Sequence, residues 1–305
     1  MKELPQITVQ RITGMRRYFI VAICLCIWQS VLCQSSFWVL PDKKLMMGSC
    51  DLRYGEVIDT VRLEVAYTCR MPNEDSVSCE IALLQIGYRF TKFYGYNRWK
   101  ADSIYTETYS NLSYAANMKL KASQAQCLSY EIFRNRESHT QWNIHRLPFQ
   151  HNHVMQYVES IPKLDWVISD HTCVIEGYEC YEAKTHWGGR TWRVWFTPDI
   201  PVNEGPWKLS GLPGLILDAA DTTGAFQFKL LRVEKLTKPI IRYSYKTKKV
   251  DKQQWLRYEK AVCQMPYVTL RASMNSEFYT YDPEKDEIVS LNETWTIPYN
   301  PIERE

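Results

Sequence analysis

His145, His151 and His153 form the one histidine cluster of this 305-residue chain. On an extended segment, His151 and His153 would send both imidazoles to the same face, as a divalent metal requires. His171 and Cys173 could add a second pair. A structural zinc site wants four ligands and the spacing supplies two. A solvated polar loop is therefore the plainer expectation, and a bound divalent metal its alternative. No other cofactor is expected.

A second group lies further on. Arg190, Asp199, Lys208 and Asp218 are charges inside an otherwise apolar and aromatic block. Read functionally, Arg190, Trp195, Asp199, Trp207 and Lys208 make a ligand or partner site. An arginine fork holds a carboxylate or phosphate, and an indole offers a stacking face. Read structurally, Arg190 pairs with Asp199 or Asp218 and pins the loop between them. Cys180 and His186 could be imagined as a thiol and its base. Six residues apart on one extended strand, they would lie about 20 Å from each other. The chain carries no G-x-S-x-G elbow, no H-E-x-x-H helix, no P-loop and no dinucleotide fingerprint, so a non-enzyme is expected.

The elements that must position these groups read mostly as strands. Val61, Leu63, Val65, Tyr67 and Cys69 alternate with polar residues, and after the turn at Pro72–Asp75 so do Val77, Cys79, Ile81 and Leu83. A hairpin centred on Glu74 sets Cys69 opposite Cys79, about 4.5–5.5 Å apart at Cα and within reach of a disulfide. Glu176-Gly177 marks a second hairpin that sets Cys173 opposite Cys180. Further strands are expected near 190–197, 215–220, 225–233 and 240–245. One helix is expected late: Asp251 caps it, Gln254 closes a capping box, Trp255, Tyr258, Val262 and Met265 form its apolar face, and Pro266 stops it. The fold class is predominantly β, a curved antiparallel sheet or half-barrel with one late helix, in a single domain over 34–305.

Residues 1–33 read as a secretory signal: Arg16 and Arg17 precede an apolar run from Phe19 to Trp28 that is too short to span a bilayer. Cleavage would leave 272 residues with 33 basic and 33 acidic side chains and no transmembrane span. That balance gives no electrostatic case for nucleic acid as a partner. Lipidation at Cys33 is an alternative. Seven cysteines would remain, and in an oxidising compartment most should pair.

The block ends in Gly211-Leu212-Pro213-Gly214-Leu215-Ile216, which reads as a tight turn entering an apolar strand. Pro213 presets one φ, and Gly214 supplies the positive φ of a type II turn. With Trp195 to Pro201, Gly205 to Lys208 and the tail Tyr299 to Glu303, this hexapeptide resembles the GLPGLI family of exported proteins of Bacteroidota. The resemblance implies a periplasmic or outer-membrane location. It also implies a non-catalytic binding or accessory role, with a small ligand or a TonB-dependent outer-membrane transporter as partner. The alternatives are a thiol- or metal-dependent hydrolase using Cys180 or His151 and His153, and a purely structural envelope protein.

Overall fold

The computed structural model describes residues 36–40, 48–72, 77–108, 128–282, 286–291 and 296–304. The signal segment, most of the turn before Val77, the polar stretch 109–127 and Cys127 lie outside the described residues.

Twelve strands form one large sheet that does not close into a barrel. Six of them run as a meander: β3 (Leu63–Pro72), β4 (Val77–Ile86), β5 (Phe90–Gly95), β6 (Tyr130–Asn135), β7 (Thr140–Arg146) and β8 (His153–Ser160). Five more form a second meander: β9 (Val167–Ile175), β10 (Tyr178–Trp187), β11 (Arg190–Thr197), β12 (Leu215–Asp221) and β13 (Gln227–Glu234). A single antiparallel seam, β13 on β3, joins the two. The twelfth strand, β15 (Lys246–Lys249), adds in parallel to β8. Two smaller sheets pair β2 (Gly55–Thr60) with β14 (Pro239–Tyr243), and β1 (Ser36–Leu40) with β16 (Ser276–Asp282) and β17 (Glu287–Ser290).

The period-2 alternation reports the inward face of β3 but misses that of β4, where Cys79 is exposed and Ile81 and Leu83 pack in a separate cluster with Ala66 and Tyr94. Leu63, Val65, Tyr67 and Cys69 of β3 all enter the main core, with Ala82, Leu84 and Ile86 of β4. Trp192, Val194 and Phe196 of β11 meet them across the curved sheet. The predominantly β class is as expected, and so is the Asp251 helix. It runs from Lys252 to Gln264 (α2), with the Asp251 side chain accepting from the Gln254 amide and the Gln254 side chain accepting from the Asp251 amide. Pro266 ends it but also opens a further helix, α3 (Pro266–Met274), where the missing N–H of proline costs nothing at the first position. An earlier helix, α1 (Tyr96–Thr108), buries Arg98, Ala101, Asp102 and Tyr105. Its buried face is half charged, so no apolar stripe announces it.

The disulfide expectations need correction: Cys69, Cys79, Cys173 and Cys180 are all free thiols. On the first hairpin the register pairs Cys69 with Glu80 and Cys79 with Arg70. A one-residue offset sends the two side chains to opposite faces. Cys69 is buried and Cys79 exposed. On the second hairpin Cys173 does stand opposite Cys180, across a two-residue turn with Glu176 at φ 48° and Gly177 at φ 83°. Both remain thiols, and the Cys180 Sγ–H donates to the Tyr178 carbonyl at 3.4 Å.

The hexapeptide also departs from its expected geometry. Positive φ falls on Gly211 (98°), not on Gly214. Gly214 is needed for proximity: a Cβ there would sit 2.1 Å from the Thr197 carbonyl oxygen. Both partners are backbone, so neither can swing aside. Gly214→Ala should therefore destabilise the protein by about 1–3 kcal/mol, read as a lowered melting temperature; an unchanged melt would show that the loop yields freely.

Candidate functional site

The segment 198–214, between β11 and β12, folds inward over the mouth of the curved sheet. Its apolar residues decide this. Trp207, Leu209 and Leu212 are each 2 % exposed or less and complete the main core. The backbone is sewn down at several points. Leu215 N–H donates to the Ile200 carbonyl and Ile216 N–H to the Glu204 carbonyl, both at 3.0 Å. Tyr67 Oη donates to the Ile216 carbonyl at 2.7 Å, and Trp166 Nε1 to that of Ser210 at 2.9 Å. Arg134 reaches in from β6, with Nη1 on Glu204 Oε2 and Nη2 on the Trp207 carbonyl, each at 2.5 Å.

Between this loop and the sheet ends lies an open cleft of roughly 1420 Å³. The strand register explains its position. Leu63 pairs with Ile86, Glu64 with Glu234, and Asn135 with Thr140, which itself pairs with Ser160. The ends of β4, β6, β8 and β13 and the starts of β3 and β7 therefore share one end of the sheet. The lining is apolar at Leu63, Ile86, Ile200 and Val202. Its charged side chains are Arg62, Arg134, Arg136, Lys163 and Lys235 against Asp199 and Glu204. Asp199 is exposed, whereas Glu204 is buried against Arg134. A solvent-reachable carboxylate beside a fixed ion pair can exchange a proton with a bound molecule, and the arginine forks can hold oxygen-rich groups.

Of the residues singled out by sequence, only Asp199 and Gly211 line this cleft. Trp207 belongs to the core, where it packs on Trp187 and Trp192 at centroid distances of 5.2 and 5.4 Å. Trp195 is half-buried against the same core. Arg190 is committed elsewhere. Its Nη1 pairs with Asp221 Oδ2 at 2.8 Å, Nε donates to the Ile302 carbonyl at 3.0 Å, and Nη2 donates to Asn300 Oδ1 and the Pro301 carbonyl at 2.6 Å. Neither Asp199 nor Asp218, the two partners expected for it, makes that contact. Asp218 instead accepts from the Leu230 amide at 3.0 Å. Lys208 is buried with Nζ donating to Glu159 Oε1 and Glu303 Oε2 at 2.6 Å and to Tyr157 Oη at 3.0 Å. Lys252 binds the same two carboxylates from α2.

The histidines do not converge either. His145 is stacked between Trp255 (3.8 Å) and Tyr157 (5.6 Å), and burial, with Lys208 nearby, holds its pKa well below the usual imidazole value. His151 and His153 flank Asn152, whose φ of 59° makes a turn where an extended segment was expected. Nδ1 of His153 lies 2.7 Å from the His151 carbonyl oxygen. Among the described residues no group of three or more His, Cys, Asp or Glu side chains could hold a metal ion.

Burial alters several carboxyls outside the cleft, and Glu80 is one of them. Burial pushes it up to about 7, although the Leu128 amide donating to Oε2 at 2.8 Å pulls the other way. Such a group keeps its proton in the folded chain after the unfolded chain has released it. It therefore removes stability as pH rises from the ordinary value of 4.5 to about 7. Glu80→Gln should leave stability unchanged at pH 4 and raise it by about 1–3 kcal/mol at pH 8. Denaturant melts at the two pH values test this, and a gain of equal size at both would contradict it.

Local spacing could not have found Glu204, Arg134, Arg136, Lys163 or Lys235. They come from four different stretches of the chain and meet only through the strand register. Glu204 offered the one signal, as the acidic residue immediately before Gly205-Pro206-Trp207.

Residues 101–260, just over half of the chain, match the family model described as N-glycanase peptide, N-terminal domain. Two solved structures, "Structure of PNGF-II in P21 space group" and "Structure of PNGF-II in C2 space group", are similar at 16 % identity and a TM-score of 0.42. Each similarity covers 65 % of this chain and 32 % of the other, so the chain spans about a third of the length of the structures it matches. No curated protein matches it. The match overturns the GLPGLI assignment: a Gly-Pro turn entering a buried strand is a local packing device and does not identify a family by itself. With that assignment go the non-enzyme expectation and the accessory role beside a TonB-dependent transporter, because the matched family is that of an enzyme. Export agrees with this family. Among the described residues no helix is long and apolar enough to cross a membrane. By the span of its matched residues, the chain belongs to the N-glycanase N-terminal domain family.

Proposed function

We propose that the chain is a glycan-processing hydrolase acting on N-linked glycans, with the cleft at the mouth of the sheet as its working site. The observation that carries this is the lining of that cleft, where an exposed Asp199 and an ion-paired Glu204 share a large open space with arginine forks. Hydrolysis of the bond between a glycan and the asparagine nitrogen adds hydroxide to carbon and a proton to nitrogen. Asp199 is the candidate group for taking the proton from water and returning it to the leaving nitrogen. Glu204 and Arg134 form the fixed polar wall against which sugar hydroxyls hydrogen-bond, and Tyr178 offers a face on which a ring can stack. The working compartment in this reading is the periplasm or the outer-membrane surface.

The test is release of glycans from a denatured glycoprotein by the purified full chain, followed by mass spectrometry of both products. Asp199→Asn should lower the release rate at least 100-fold without shifting the melting temperature. Glu204→Gln should lower both, since it leaves Arg134 buried without its partner. Absence of release by the wild-type chain, or full activity of Asp199→Asn, would overturn the reading.

A further inference from the structure

The cleft carries a charge pattern that its proposed use does not require. Five cations line it against two carboxylates. Arg134 is neutralised by Glu204. The others are not. Among the described residues Arg62, Lys163 and Lys235 are exposed and make no ion pair. Arg62 stays at the rim by packing over the Tyr88 ring at 4.7 Å. Arg136 is fixed by Nη2, which donates to the carbonyls of Gly87 and Tyr88, and its buried Nε has no hydrogen-bond partner among the described residues. The Nε of Arg134, a side chain 2 % exposed, likewise has none. A buried donor left unpaired is costly unless something outside the chain satisfies it. These groups belong to the rims of both meanders, so they surround the opening and do not cluster on one strand.

We infer that the cleft selects negatively charged N-glycans, those bearing carboxylate, sulfate or phosphate groups, over neutral ones. The inference rests on the glycan-directed reading of the cleft and narrows it to a substrate class. The open rim cations attract the anionic terminus, while the neutral inner sugars lie against Leu63, Ile86 and Val202. Carboxylate, sulfate and phosphate share the chemistry that guanidinium and ammonium groups recognise, and an arginine fork binds each of them bidentately. An acidic peptide around the attachment site would use the same charges, but it would not need a space as wide as the one enclosed here.

The experiment measures affinity and release together. Binding of the full chain to a free sialylated glycan and to its desialylated form is followed by calorimetry at low and high salt. Sulfated and phosphorylated glycans provide the other anionic arms. Release is followed from the same glycoprotein before and after desialylation. The acidic glycan should bind about tenfold more tightly at low salt, three exposed charge contacts being worth roughly that much. The preference should shrink as salt screens it. The double variant Lys163→Gln, Lys235→Gln, both surface changes, should lose most of the preference and keep its affinity for the neutral glycan. Equal affinity for charged and neutral glycans overturns the inference and leaves the glycan-directed reading standing. Discrimination that follows the acidity of the peptide, and is absent with free glycans, also overturns it. Failure to bind or release any glycan overturns both.

Discussion

Arg190→Ala should cost about 3–5 kcal/mol of stability and free the C-terminal segment. The guanidinium is 3 % exposed, spends its donors on four acceptors and lies 4.4 Å from the centroid of the Phe226 ring. Removing it leaves Asp221 buried and without its cation. Asp221 keeps the Phe226 amide at 2.8 Å and the Thr223 hydroxyl, so the loss is bounded. It also leaves the carbonyls of Pro301 and Ile302 without their donor, so residues 300–304 should become open to proteases. Arg190→Lys should not rescue either effect, because one ammonium cannot reach four acceptors spread over a planar fork. Thermal melts and limited proteolysis of the three proteins read this directly. An intact melt with Arg190→Ala would return Arg190 to the list of ligand-binding residues.

Lys208→Met should be comparably severe at neutral pH, about 3–5 kcal/mol, and milder in acid. Burial alone would push the Glu159 carboxyl up. Lys208 outweighs it, helped by Lys252 and Gln141, and holds the group below its ordinary value. A depressed carboxyl contributes stability above its unfolded pKa and loses it as pH falls through the folded value. The variant forfeits that contribution at pH 7. As pH falls below the ordinary carboxylate value, the unfolded chain takes up its proton before folded Glu159 does, and the difference narrows. Lys252 still touches both carboxylates and keeps the penalty toward the lower figure. Denaturant titrations at pH 7 and pH 4 should therefore give a larger penalty at pH 7. Equal penalties would show that the contribution of Lys208 is packing against Trp187 and Trp207 alone.

Most of the fold was legible where one physical rule governed a stretch of chain. β3, β11, β12 and α2 follow from alternation or capping that no long-range contact contradicts; β4 follows as a strand, but the main core takes Ala82, Leu84 and Ile86 in place of Ile81 and Leu83. The Glu176-Gly177 turn follows from Gly177, which takes positive φ without cost, while Glu176 is held at φ 48° beside it. What escaped was set by distant partners. α1 buries Arg98 and Asp102 because Arg146 of β7 lies 2.9 Å from Asp102, and this pair erases the apolar stripe that would announce a helix. Cys69 and Cys79 missed each other by one residue of register, which no hairpin turn of uncertain length can fix in advance. The site escaped for the same reason. Asp199 was visible as a charge in an aromatic block, but Arg134 and Lys163 gain meaning only when the curved sheet brings its ends together. The charges inside the Arg190–Lys208 block were the most conspicuous in the sequence, and two of them secure the C-terminal tail.

The seam of β13 on β3 has a consequence for how the site comes into being. Each meander can assemble from neighbouring hairpins, with contacts close in sequence and quickly found. The seam joins residues such as Tyr67 and Leu230, which must close a very long loop, so it is expected to form last. Arg62, Arg134, Arg136 and Lys163 arrive with the first half, and Asp199, Glu204 and Lys235 with the second. Neither half owns the cleft. A molecule held there bridges the two, so occupancy should strengthen the slowest step of folding, and two separately expressed halves should reassemble more readily in its presence.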